Sequence, residues 1–229
     1  MPIPDFDGET FVAFMDISGF NEMMKEDRLA VKAIDRLYSN GYQVLQDNQN
    51  INGLFVSDCG VLFVRNHGNN ECRHQLEDLL NALEELNKRL LRDDIMLTTS
   101  IAFGRFSYHQ RIEFEGIEKN PVYGHAYASA FLDNEVGKPR IQPGQCRIVK
   151  KGLCDLDFSS FHRMKERSSH WYFYWMVSTQ EEIGEFEKQY TDAYRLKYSG
   201  MLKALKGAAN GRSNPGNTSY LPLGNNRGE

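Results

Sequence analysis

The chain has no excess of basic charge. Its 229 residues hold 27 Lys and Arg against 31 Asp and Glu, a net charge of −4 with an isoelectric point near 5.9. A general nucleic-acid binder shows the opposite balance, so no nucleic-acid partner is expected. One small anionic ligand stays possible, because a metal ion or a few local side chains can meet its charge. Cysteine is also scarce: Cys59, Cys72, Cys146 and Cys154 form no CxxC pair. A structural zinc site is therefore not expected, and the four read as reduced thiols. The six histidines show no metal-ligating spacing. No apolar run approaches the ~20 residues that span a bilayer. The opening MPIPDFDGE lacks the apolar centre of a signal peptide. A soluble, cytoplasmic protein with no membrane partner is the expectation.

What is present is enough apolar and aromatic material, 41% and 12%, for a full core. Residues 11–17 (FVAFMDI) read as a buried strand ending in an acid, and Ser18-Gly19 as a turn. From Phe20 to Gln46 apolar residues recur at helical spacing, which predicts two helical pieces broken near Asn40-Gly41. Residues 52–64 read as two short strands meeting at Ser57-Asp58-Cys59-Gly60. Leucines from Leu76 to Leu91 predict a helix over 72–92. A strand over 95–104, an irregular hairpin over 106–117, a helix over 123–135 and a short strand over 145–150 follow. This order predicts an α+β fold with helices on one face of a mainly antiparallel sheet. Residues 1–155 form the expected main domain. Residues 156–206 read as a C-terminal extension with an aromatic strand (171–177) and a long helix (179–205). Residues 207–229, rich in Gly and Asn, read as a disordered tail.

Two segments carry candidate chemistry. In Phe14-Met15-Asp16-Ile17-Ser18-Gly19-Phe20 a strand delivers a carboxylate to the sheet edge, and backbone N–H groups follow where a helix starts, a setting that suits phosphates. Asp16 reads equally as a helix cap. Asp58 sits at a hairpin tip, where Asp before Gly is also ordinary turn chemistry. Together they say more. If the helical stretch after Phe20 crosses back over the sheet, the hairpin lies beside the first strand and its tip faces Asp16. Two hard oxygen ligands at one sheet edge match Mg²⁺ or Mn²⁺ shared with phosphates.

These residues resemble class III nucleotide cyclases. Their first strand carries Phe-x-Asp-Ile-x-Gly-Phe, matched by Phe14 to Phe20, and their hairpin carries a second metal aspartate, matched by Asp58, 42 residues later. The resemblance spans about residues 10–150 and implies a ferredoxin-type sandwich. It also implies two Mn²⁺ or Mg²⁺ ions per site on Asp16, Asp58 and the Ile17 carbonyl. A head-to-tail homodimer with composite active sites follows from it too, one protomer holding the metals and the other the base-reading wall. Phe14, Ser18, Gly19 and Phe20 would be substrate-binding residues, together with Asn52 and Thr98.

The match to purine cyclases fails at three positions. Their base-reading Lys, six residues before the second Asp, is here Asn52. Their helix Asn and Arg fall at Ala128 and Leu132, which cannot do that work. The segment Gly124, Ala126, Ala130, Leu132, Asp133, then Pro139-Arg140-Ile141, resembles instead the pyrimidine cyclases of bacterial anti-phage (Pycsar) systems, as does the aromatic run 170–176. That resemblance implies conversion of UTP or CTP to cUMP or cCMP, with UTP slightly favoured. It also implies a separate effector protein that reads the product. Asn52 can pair with either base edge or simply form a turn. Thr98 and Thr99 sit on the strand beside the expected base pocket, or are there for β-propensity. Arg140 is a candidate for phosphate or transition-state charge, or a solvated arginine. Asn134 is either a stand-in for the missing helix Asn or a helix cap. Two other readings stay open: a non-catalytic nucleotide-binding module, and an interaction protein whose terminal helix recruits a partner.

Overall fold

A computed structural model describes residues 4–65, 72–109, 111–114, 117–119 and 121–196. The expected disordered tail and the end of the expected terminal helix lie outside these residues.

Strand β1 (Phe6–Ile17) runs through the centre of the molecule. Its segment FVAFM shows no polar alternation and is buried throughout. A strand apolar on both faces needs cover on both, and this sets the architecture. After β1 come a single helical turn α1 (Phe20–Met23), helix α2 (Asp27–Asp47), the hairpin β2 (Ile51–Val56) and β3 (Cys59–Val64), and helix α3 (Cys72–Leu91). Strand β4 (Leu97–Tyr108), a separate small hairpin β5 (Arg111–Phe114) and β6 (Ile117–Lys119), and the short β7 (Val122–Tyr123) lead to helix α4 (His125–Val136). Strands β8 (Cys146–Val149), β9 (Met164–Arg167) and β10 (His170–Phe173) and helix α5 (Ile183–Leu196) complete the described chain.

The main sheet has the order β2-β3-β1-β4-β8-β10-β9, with β7 on β4. Every described pairing is antiparallel except β4 with β8. On one face Phe11, Ala13, Met15 and Ile17 pack with Leu37 and Val44 of α2 and Leu76, Leu79, Leu83 and Leu86 of α3. On the other, Val12, Phe14, Phe63 and Phe106 pack with Ala126 and Ala130 of α4. The mainly antiparallel α+β architecture is as expected. The placement of all helices on one face is corrected: α4 covers the second apolar face of β1, and two alanines let it approach closely.

Two local expectations also differ. The helical stretch breaks at residues 24–26, not at Asn40-Gly41. Gly41 lies inside α2 because the Phe55 ring rests on it; a Cβ there would fall 2.2 Å from Phe55 Cζ. The aromatic strand covers only His170–Phe173, since the chain turns at Tyr174 and Trp175 Nε1 donates to Gly144 O at 2.7 Å. Strands β9 and β10 then extend the core sheet through β8. All four cysteines are free. No described helix is long and apolar enough to cross a membrane.

Candidate metal and nucleotide site

Asp16 is the penultimate residue of β1. Strand alternation turns it, with Val12 and Phe14, toward the face covered by α4. The next residues leave the sheet: Ser18 N–H donates to Met96 O at 2.8 Å, and Gly19 takes φ 76° before Phe20 buries itself in the core. That left-handed backbone favours glycine.

Asp58 reaches the same place through the hairpin. The Ser57-Asp58 turn, with Ser57 at φ 56°, joins β2 to β3, and β3 pairs with β1 so that Asp16 faces Cys59. Ile17 N–H donates to the Asp58 carbonyl at 3.0 Å and fixes the tip against the end of β1. The ligand atoms of Asp16, Asp58 and Cys59 lie within 4.8 Å of one another. The thiol of Cys59 donates to Asp16 Oδ1 at 3.4 Å.

The electrostatics are set by the crowding of the two acids. Burial, followed by the neighbouring Asp58 carboxylate, pushes the Asp16 carboxyl up to about 7, and Glu135 of α4 adds further negative charge. Burial and the two carboxylates push the Cys59 thiol up to about 12. Among the described residues, no Lys, Arg or His forms an ion pair with Asp16 or Asp58. Two close carboxylates repelling each other in a half-buried setting, with oxygen donors dominant, fit a hard divalent ion.

The other sequence candidates divide by position. Ile17, Ser18 and Gly19 adjoin the acid pair; Ser18 Oγ is buried and makes no hydrogen bond to the described residues. Thr98 lies directly opposite Asp16 on β4, but its hydroxyl donates to Asn134 Oδ1 at 3.1 Å. Asn134 also donates to the Thr98 carbonyl at 3.2 Å, so both tie α4 to the sheet. Phe14 is buried under α4, edge-on to Phe131 at 5.1 Å. Phe20 lies in the core on the opposite face. Asn52 is not beside the acids of its own chain. It pairs with Phe63, four positions along β3 from Cys59 and thus about 13 Å away along the strand. Its Nδ2 is buried without a partner among the described residues. Arg140 is exposed in the segment between α4 and β8. That segment is anchored at the acid-bearing end of the sheet, where Gly144 N–H donates to Leu97 O at 2.8 Å.

Sequence reasoning missed two features. Cys59 joins the acid cluster, and the pairing of its hairpin with β1 is what exposes this. The other is a charge network under α4. Arg147 is fully buried and grips Asp133 through Nε and Nη2, both at 2.8 Å, while Ser100 Oγ donates at 2.6 Å and His170 Nε2 lies at 2.8 Å. Burial pushes the Asp133 carboxyl up, but hydrogen bonds from His170, Arg147 and Ser100 outweigh it and hold the group at about 2. Arg147 Nη1 also donates to Pro139 O at 2.5 Å. The network therefore fixes the end of α4 and the residue before Arg140. A charged residue inside the strand CRIV was the available sign.

No known family model matches the chain, and no curated relative matches it. Solved structures do resemble it. The guanylyl cyclase Cya2 superposes with a TM-score of 0.54 at 11% identity, covering 74% of this chain and 93% of that one. The guanylate cyclase domain of RhGC from Catenaria anguillulae, in complex with GTP, gives 0.51 at 11%, covering 74% and 98%. A bacterial light-regulated adenylyl cyclase gives 0.51 at 12%, covering 82% and 58%. At such identities the likeness shows the fold: an α+β domain of the kind found in nucleotide cyclases.

Proposed function

We propose that the chain is a pyrimidine nucleotide cyclase, converting UTP, or CTP, to the 3′,5′-cyclic monophosphate with release of pyrophosphate. The observation that carries this reading is the convergence of Asp16 and Asp58, ligand atoms within 4.8 Å of one another, with no ion pair to a cationic side chain among the described residues. Asp16, Asp58 and the Ile17 carbonyl would hold Mn²⁺ or Mg²⁺, two ions per site. Such ions, when bound, lower the pKa of the attacking ribose hydroxyl and neutralise charge on the leaving phosphates. Ser18 and Gly19, at the turn beyond Asp16, would face the phosphates, and Arg140 would meet charge on them from its exposed segment. The pyrimidine preference rests on the resemblance of the segment from Gly124 to Ile141 and of the aromatic run 170–176 to the pyrimidine cyclases, with Asn52 where purine cyclases usually carry Lys.

The distance of Asn52 from the acids of its own chain favours a composite site across a homodimer, in which the partner supplies the base-reading wall. Exposed Phe131, Leu132 and Val136 on α4 and Val56 at the end of β2 are apolar surface of the kind a second copy would cover. Acting in the cytoplasm, the product would serve as the signal of an anti-phage system and be read by a separate effector protein. Incubating the purified protein with all four triphosphates and Mn²⁺ tests the reading, with a uridine or cytidine cyclic product expected. A dominant purine product would reject the pyrimidine assignment.

One observation favours a second reading. Ala128 and Leu132 stand exposed on α4 and offer no hydrogen bond to a nucleotide. A non-catalytic nucleotide-binding module would bind a triphosphate and release no product, even with Mn²⁺.

A further inference from the structure

The acid pair has a third side chain beside it, the thiol of Cys59. One ligand atom from each of Asp16, Asp58 and Cys59 lies within 4.8 Å of the other two. Among the described residues this is the one group of three or more His, Cys, Asp or Glu side chains placed to share an ion. Hard ions such as Mg²⁺ take oxygen ligands and have no use for sulfur. A thiolate is the donor that Zn²⁺ and other thiophilic ions favour. The oxygen-bound ions of the cyclase reading therefore leave the thiol without a role.

The separation of the donors fits a shared ion. A tetrahedral ion with sulfur at about 2.3 Å and a carboxylate oxygen at about 2.0 Å holds those two atoms about 3.5 Å apart. Cys59 Sγ stands 3.4 Å from Asp16 Oδ1. The backbone holds this spacing in place. Asp16 and Cys59 face each other across the β1–β3 ladder. Ile17 N–H, donating to the Asp58 carbonyl at 3.0 Å, ties the turn to the end of β1. Cys59 also packs against the apolar cluster that includes Val12, Phe14 and Ala126. Three side chains set this way leave one tetrahedral position open, the pattern of exchangeable Zn²⁺ sites.

We propose that Asp16, Asp58 and Cys59 together bind one thiophilic divalent ion of the Zn²⁺ class, with Cys59 as a thiolate ligand. As the sulfur–metal bond forms, the Cys59 S–H bond breaks and its proton passes to solvent. The site rests on the same acid pair as the cyclase reading and adds a control to it. An ion held by three side chains occupies the place that the hard ions and the triphosphate would share, so the two kinds of ion compete.

The test is metal binding to the purified, reduced full chain without nucleotide, so it stands apart from turnover. Co²⁺ serves as a coloured stand-in for Zn²⁺. Its titration should raise a thiolate-to-metal charge-transfer absorption, and added Zn²⁺ should abolish it. In Cys59→Ser the absorption should vanish. Zn²⁺ affinity should fall there at least about tenfold, the least that even an outer-shell metal contact costs. Mn²⁺ uptake by Cys59→Ser, read by electron paramagnetic resonance, should stay close to that of the parent. Asp16→Asn and Asp58→Asn should each weaken both ions. If Cys59→Ser melts early, Cys59→Ala decides in its place. An absorption that survives the loss of Cys59, or Zn²⁺ affinity equal with and without it, overturns the proposal. Mn²⁺ uptake that needs both acids, with no charge-transfer absorption, overturns the thiol ligand alone and leaves the cyclase reading standing. Uptake of neither ion removes the metal assignment and the proposal together.

Discussion

Asp16 and Cys59 stand directly opposite each other across the β1–β3 ladder, and the thiol donates to the carboxylate. This pairing places the hairpin tip, and with it Asp58, against the end of β1. The register is also protected. A shift of one residue would turn Asp16 to the α2–α3 face and Met15 to the α4 face, and both faces here are buried. The acid pair is thus held by the same packing that stabilises the sheet.

Replacing either acid separates chemistry from folding. Asp16→Ala and Asp58→Ala are each expected to reduce cyclic nucleotide production at least a thousandfold while the protein stays folded. Melting should not fall, because each change removes one partner of a repelling pair. Circular dichroism and product analysis on the same samples check this. Activity within tenfold of the parent in either variant would remove the metal assignment.

The metal-free protein should lose stability as the pH rises through the window from about 4 to about 7. The folded-state pKa of Asp16 is raised from 3.8 to about 7, so the folded state holds a proton that the unfolded state has released. The stabilisation is present below this window and gone above it. Divalent metal must displace the same proton, so affinity should rise with pH up to about 7 and level off. Melting temperature against pH, with and without Mn²⁺, reads both effects. In Asp16→Asn the metal-free slope should flatten.

The Asp133–Arg147 pair should matter more to stability than the surface ion pairs. Arg147→Met leaves the Asp133 carboxylate buried with one strong partner fewer, a loss of about 3–5 kcal/mol for breaking a buried pair. An exposed pair such as Lys25–Glu22 is worth about 0–1 kcal/mol. Urea unfolding of Arg147→Met, Asp133→Asn and the double variant should show strong coupling. Additive effects would mean that the two residues act separately.

Gly41→Ala should destabilise the protein although alanine is the better helix former. The gain in helix propensity is about 1 kcal/mol, while forcing a Cβ against the Phe55 ring costs about 1–3 kcal/mol. The ring cannot easily retreat, being edge-on to Tyr42 at 5.2 Å. Adding Phe55→Leu should recover the loss. A Gly41→Ala variant more stable than the parent would show that the ring moves freely.

Much of the frame was legible because the local signals agreed. FVAFMDI, the leucine series of α3 and the turn at Ser57-Asp58 each pointed to the element that formed, and the crossing of α2 placed β3 beside β1 as expected. The misreadings came from tertiary context. Gly41 looked like a helix breaker because the ring lying over it comes from β2, fourteen positions on. The second covered face of β1 was visible in its unbroken apolar run, but nothing local named α4 as the cover. Cys59 entered the site only through strand register, and the partners of Asp133 are spread from Ser100 to His170. Asn52, read as either a base contact or a turn former, lies within β2 opposite Phe63, about 13 Å along the strand from the acids of its own chain.

The most direct test of the central claim is Mn²⁺ binding followed by electron paramagnetic resonance in the presence of UTP. The chain should take up Mn²⁺ near neutral pH and lose most of that binding in both Asp16→Asn and Asp58→Asn. Equal uptake by the parent and both variants would contradict a metal site built from these two carboxylates.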